Sequence, residues 1–226
     1  MRIVSLVPSA TETLVAWGIE PIAVTRFCEQ PALQQVGGTK DPEIEAVIAL
    51  APDLVVVCVE ENRREDADNL RAAGLELFVF DIDSIDDVEP QLLSLAARVG
   101  ADVDPFERAD PQASNMRAFI PIWRRPWMTM KGATYGSSVL EYIGVENVFG
   151  DSAERYPAVT LDDARERVPD VVIAPSEPYR FSERHRAELE AVAPVVLVDG
   201  KDLFWWGVRT PEAVGRLAGQ LSRRAT

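Results

Sequence analysis

Four of the five tryptophans fall after residue 117, in two short segments that also carry arginine: Ile122-Trp123-Arg124-Arg125-Pro126-Trp127 and Phe204-Trp205-Trp206-Gly207-Val208-Arg209. Flat aromatic rings give contact area at little entropic cost, and a guanidinium fork donates to carboxylate, amide or phosphate oxygens. Together they suit non-covalent binding of a broad ligand with a polar rim. The competing reading is an interior cluster in which the same residues pack on one another through cation–π contacts. A third segment, Tyr179-Arg180-Phe181, follows the apolar run Val171–Ala174, and Tyr135 comes shortly after the first Trp-Arg loop, where its hydroxyl could serve a ligand or cap structure. In the first half, Arg26-Phe27-Cys28 and Cys58-Val59-Glu60-Glu61 occupy comparable places.

Covalent chemistry finds little support. The chain has no GxGxxG, no P-loop and no GxSxG elbow. Its single histidine, His185, lies among Glu183, Arg184, Arg186, Glu188 and Glu190 and reads as part of a solvated helix face, which excludes a histidine-rich metal site. A Cys or Ser nucleophile would have no base nearby. Cys28 and Cys58 form no CxxC pair; they read as small apolar fillers, with a soft ligand pair as the alternative. The expectation is therefore no catalytic residue, no resident metal and no intrinsic cofactor.

The elements that must hold these loops follow from periodicity. Apolar runs at Ile3–Val7, Ile22–Val24, Leu54–Cys58 and Leu77–Phe80 alternate with helix-period segments at Ala10–Gly18, Ile44–Leu50, Arg64–Ala73 and Ile85–Val99. This rhythm predicts an α/β fold with parallel sheets. Helix starts are expected at a Ser9/Glu12 capping box, at Asp41-Pro42 and Thr210-Pro211, and at Thr160 with Asp163. The second half repeats the first: residues 44–57 are echoed by 161–174 as helix, Pro-Asp, strand, Leu14–Gly18 by Leu140–Gly144, and Leu77–Phe80 by Val195–Val198. Two α/β lobes are expected, residues 1–100 and 117–226, with 101–116 as a linker or short broken helix. Ligands of open parallel sheets bind beyond the strand carboxyl ends, so the aromatic loops of both lobes should face a central cleft.

Charge divides the same way: the formal net charge is −14, of which residues 1–100 carry −11 and residues 117–226 none. Such acidity argues against binding nucleic acid or an anionic membrane surface. No apolar run approaches the roughly 20 residues of a membrane span, so no membrane insertion is expected. The N-terminal residues go straight into a first strand, so the chain as written is expected in the cytoplasm, or outside it if a signal peptide has been removed.

Arg2-Ile-Val-Ser-Leu-Val-Pro-Ser-Ala-Thr-Glu-Thr-Leu, the Val36-Gly-Gly-Thr-Lys-Asp-Pro-Glu-Ile-Glu segment leading into Ala51-Pro-Asp-Leu-Val-Val-Val, and Tyr135-Gly-Ser-Ser-Val-Leu-Glu-Tyr-Ile-Gly followed by Glu146-Asn-Val-Phe resemble the helical-backbone metal receptor superfamily. These are class III periplasmic-binding-protein-like proteins, and the nearest familiar members bind cobalamin. The resemblance implies two Rossmann-like lobes joined by a helix, here short or truncated, and a metal chelate held without catalysis. Carried over by position, Phe27, Cys58, the Tyr179–Phe181 loop and Trp205–Trp206 match regions where cobalamin binders place contacting aromatics, with Cys58 standing where a large aromatic is usual. An ABC-importer permease enters as a partner through the resemblance alone, with docking acids only loosely matched near Glu65 and Glu177.

The expectation is a monomeric, non-catalytic binding protein for cobalamin or a related chelate, an intracellular carrier or an importer's substrate-binding component. Its candidate ligand-binding residues are Phe27, Cys28, Cys58, Trp123, Arg124, Arg125, Trp127, Tyr135, Tyr179, Phe181, Trp205, Trp206 and Arg209. The alternatives are a ferric-siderophore or haem binder, an enzyme using the same cleft with Cys28, Cys58, Glu60 or Glu61, and an interaction module whose tryptophans fill it.

Overall fold

The computed structural model describes residues 1–103 and 115–222. The expected linker helix within 101–116 thus lies largely outside the described residues. By its internal contacts the chain forms two compact units. The first takes residues 1–82, the described part of 86–106, and residues 206–208; the second takes 83–85 and the described remainder.

In the first unit, β1 (Ile3–Ser5), α1 (Pro8–Ala16), β2 (Ala23–Val24), β3 (Gln34–Gln35), α2 (Ile44–Ala49), β4 (Leu54–Cys58), α3 (Arg64–Ala72), β5 (Leu77–Phe80) and α4 (Val88–Val99) follow in order. The sheet order is β3-β2-β1-β4-β5, parallel throughout. β1 and β4 are buried along their whole length, as the continuous apolar runs of a covered parallel sheet require. Val4, Leu6, Val55, Val57 and Leu70 share one core.

In the second unit come β6 (Met116–Phe119), β7 (Trp127–Met128), α5 (Tyr135–Tyr142), β8 (Val145–Asn147), β9 (Ala158–Val159), α6 (Leu161–Glu166), β10 (Val171–Pro175), α7 (Arg186–Leu189), β11 (Val195–Val198), α8 (Gly200–Phe204) and α9 (Thr210–Ser222). Its main sheet runs β11-β10-β6-β8, again parallel, and β7 pairs antiparallel with β9. Phe119, Val172, Ala174 and Leu189 anchor the core.

The repeat read from the sequence extends to individual hydrogen bonds. In the first unit Asp53 Oδ2 accepts from the Arg2 backbone N–H at 2.6 Å, while Arg2 Nη2 donates to the Leu50 carbonyl at 2.7 Å. In the second, Asp170 Oδ2 accepts from the Arg117 N–H at 2.8 Å, and Arg117 Nη1 donates to the Arg167 and Val168 carbonyls at 2.8 Å each. Each arginine therefore satisfies carbonyls that a helix end leaves without intrahelical partners. The next residues, Ala51 (φ 44) and Val168 (φ 52), both turn the chain through left-handed backbone before Pro-Asp.

Two of the expected helix starts lie elsewhere. Pro8, with its fixed φ, takes the first position of α1. Ser9 is therefore inside the first turn and does not cap. Pro42 is spent in an antiparallel bridge with Gly37, and Asp41 pairs with Arg26, so α2 begins beyond them with Glu43 as its uncapped N-cap. The Thr160/Asp163 capping box forms in full, at 3.0 and 2.8 Å.

Candidate functional site

The residue types singled out above gather at loops beyond the carboxyl ends of the strands, and each unit builds its own set. In the second unit, the segment between β6 and β7 folds into a tight turn: Ile122 N–H donates to the Met128 carbonyl at 2.9 Å, and Met128 N–H to the Trp123 carbonyl at 3.1 Å. Arg125 at its tip takes φ 70. The turn lifts Trp123 to 44% exposure, with its ring edge-on to Tyr179 at 5.7 Å. Behind it Trp127 stacks on Phe181 at 6.0 Å and 7° between planes, and Tyr179 leans on Phe181 at 4.8 Å. Arg124 is tied to Glu188 at 2.9–3.0 Å and lies over Trp127. One face of the turn is thus structural, and the face carrying Trp123 and Arg125 remains open.

His185 corrects the sequence reading. It is 4% exposed, not on a solvated face, and contacts Tyr179 and Phe181 edge to face at 5.5 Å each. Ser182 N–H donates to Nδ1 at 3.1 Å, Arg184 Nε–H points at Nε2 at 3.2 Å, and the Tyr179 hydroxyl lies 3.4 Å from Nε2. Burial first, then the positive charges of Arg184 and Arg124, hold its pKa below the ordinary imidazole value. Charged sequence neighbours suggested a wet face, but in the single 3-10 turn Glu183–His185 the ring is buried while Glu183 and Arg184 stay exposed. The signal available in the sequence was Tyr179 and Phe181 just upstream, a pairing that helix periodicity does not weigh.

Trp205 and Trp206, adjacent in sequence, part company. Trp205 donates its Nε1–H to Glu177 Oε2 at 3.1 Å, with Lys201 and Arg209 over its ring at 4.9 and 5.4 Å. Arg209 and Arg216 both reach Asp202, which is 4% exposed. Trp206 belongs to the first unit, 3% exposed and packed on Phe80 at 4.4 Å. Gly207, at φ 119, permits that packing, since a Cβ there would run into Thr13 Oγ1. Tyr135 is buried at the start of α5; its hydroxyl meets Thr210 Oγ1 at 3.0 Å, and burial pushes its pKa up to about 12.

In the first unit Phe27 stands out, 53% exposed, with the Arg26 guanidinium 4.8 Å from its ring centre and Arg26 fixed by Asp41. Cys28 and Cys58 are buried and not disulfide-bonded. The hydroxyls of Thr11 and Thr25 lie 3.2 and 3.3 Å from Cys28 Sγ. Burial raises both thiol pKa values, that of Cys58 to about 12, so neither offers a thiolate at neutral pH. Among the described residues no group of three or more His, Cys, Asp or Glu could hold a metal ion. A separate groove of about 530 Å³ in the second unit is lined from Asn115 to Gly150 along β8 and α5, without an aromatic side chain.

This pairing of parallel sheets with aromatic and basic loops defines a ligand-binding class of α/β protein. Residues 3–193 match the family described as periplasmic binding protein, and the chain belongs to that family. It is 26% identical over 225 residues, 90% of this chain and 81% of the relative, to a vitamin B12-binding protein of Pectobacterium carotovorum. Among solved structures, it is similar to the periplasmic vitamin B12 binding protein BtuF of Vibrio cholerae, with TM-score 0.77, 21% identity and coverage of 98% and 96% of the two chains. A periplasmic haem binding protein, HutB of Vibrio cholerae, aligns with TM-score 0.75, 19% identity and 98% coverage of both chains.

Proposed function

We propose that the protein is a non-catalytic carrier of cobalamin or a closely related corrinoid, the substrate-binding component of an ABC importer, acting as a monomer outside the cytoplasmic membrane. The observation that carries this reading is the exposed Trp123 held edge-on to Tyr179 above the Trp127–Phe181 stack, beside the open Arg125. Phe27 on the first unit supplies a second exposed aromatic face. Such faces suit a macrocycle, and arginine donors suit the amide oxygens of a corrin rim. The names of the B12-binding relatives support the same ligand.

A haem ligand is favoured less. Haem iron is held by His, Cys, Met or Tyr, whereas at these loops His185 is enclosed, the Tyr135 hydroxyl meets Thr210, the Tyr179 hydroxyl lies against His185 Nε2, and both thiols are buried. An enzyme acting through the cysteines is disfavoured by the same raised thiol pKa values.

Titration with cyanocobalamin, followed by quenching of tryptophan fluorescence and by corrin absorbance, tests the reading, with haem and a ferric hydroxamate in parallel. Saturable cobalamin binding with a dissociation constant of about 1 μM or tighter, and weaker binding of the other two, is expected. Saturation by haem or the hydroxamate alone overturns it.

A further inference from the structure

The loop after β4 is pinned at almost every polar group. Asn62, 8% exposed, accepts the Cys58 N–H at 2.8 Å and donates to the Leu6 and Thr39 carbonyls at 3.1 and 3.0 Å. Lys40 donates to the Glu60 carbonyl at 2.7 Å. These bonds tie the loop to the chain leaving β1 and to the segment before α2, fixing its geometry before any ligand arrives. The exception is Glu61. Its carboxyl makes no hydrogen bond among the described residues, and the residue is half-buried, so part of its surface stays open. It lies beyond the carboxyl end of β4, where open parallel sheets receive ligands.

We propose that Glu61 is a further ligand-contacting residue, whose protonated carboxyl donates a hydrogen bond to a carbonyl oxygen of an amide-bearing ligand. The inference rests on the carrier reading and sharpens it, because an amide rim is welcomed by such a donor and a carboxylate rim is repelled once Glu61 ionises. The groups around it agree. Lys40, before α2, is the cation that faces it; Glu60 on its own loop, Cys58 on β4 and Cys28 after β2 are the other titratable groups coupled to it. Burial, the largest influence, outweighs Lys40 and raises the carboxyl pKa from 4.5 to about 7, with Glu60 adding to the rise. Burial strips part of the water from this unpaired carboxyl, a cost that a hydrogen-bond partner offsets, and a ligand carbonyl is such a partner.

The test is cyanocobalamin titration of the wild type, Glu61→Gln and Glu61→Leu at one pH unit below, at, and one unit above the folded value of about 7. Wild-type affinity should fall about tenfold across that range, as linkage of one proton requires. Glu61→Gln keeps an N–H donor and should bind with no pH dependence. Glu61→Leu should bind about fivefold more weakly at the lowest pH, the loss of one hydrogen bond. Saturable wild-type binding that is flat with pH, or a Glu61→Gln profile that still follows the wild type, overturns the Glu61 assignment and leaves the carrier reading standing. No saturable wild-type binding at any of the three pH values ends the carrier reading and the assignment together.

Discussion

The two units share a frame and differ in what they hang on it. Arg2 with Asp53 and Arg117 with Asp170 make the same bonds at the same points of the β-α-β repeat. Gly18 and Gly144 end their helices with nearly equal φ of 75 and 76. The loops have diverged. The first unit sets thiols, threonines and Glu61 there with one exposed aromatic, and the second sets tryptophans, tyrosine and arginines. Frame positions are constrained by backbone groups that must be satisfied wherever the repeat occurs, whereas loop side chains carry no such constraint and are where function diverges.

The largest expected effect tests whether the second unit's loop chemistry depends on its own buried charges. Asp202→Ala leaves Arg209 and Arg216 without their shared partner and should cost about 3 kcal/mol, read by urea unfolding; a cost near zero would make the network ornamental. The aromatic loops give the next contrast. Trp127→Ala should destabilise by about 2 kcal/mol by opening the stack on Phe181, while the exposed Trp123→Ala should leave stability nearly unchanged and weaken cobalamin binding by about 1–2 kcal/mol. Reversed outcomes would mean that the outer ring is structural and the inner one meets the ligand.

The repeated frame yields a matched pair. Asp53→Ala and Asp170→Ala should each cost about 1 kcal/mol, and the double variant the sum, because the sites are independent. If only one substitution is felt, the symmetry of these bonds is geometric and not energetic.

The smallest effect concerns acidification. His185 is neutral when folded and its pKa is depressed, so an unfolded chain binds the proton first as pH falls below 6.5. Wild-type stability should therefore decline on acidification through that range, and His185→Phe should decline less. Glu61 acts with the opposite sign. Its pKa is raised, so its contribution is greatest below 4.5 and is lost as pH rises towards about 7. Equal melting-temperature profiles for wild type and His185→Phe would place the acid sensitivity elsewhere.

Much of the frame was legible because its causes are local. Leu54–Cys58 and Leu77–Phe80 are read directly from apolar runs, the Pro-Asp pairs mark both helix-to-strand passages, and the Thr160 capping box lies within four residues. The misplaced helix starts show where local logic stops. Asp41 has the chemistry of a cap, but Arg26, fifteen residues away, claims its carboxylate.

The site was legible as a set of residue types and not as an arrangement. Arginine and tryptophan density marked the candidate loops, yet only tertiary structure decided that Trp123 is open and Trp127 half-buried against Phe181, that Trp206 joins the core of the first unit while Trp205 stays in the second, and that His185 turns inward. The sequence by itself determined the α/β rhythm, the internal repeat and the division of charge, since periodicity, turn chemistry and composition act over a few residues or over the whole chain at once. Exposure, pairing and pKa depend on which distant groups share a given volume, and Glu61 is the case in point: burial raises its pKa against the pull of Lys40, and only the smaller push of Glu60 is written beside it.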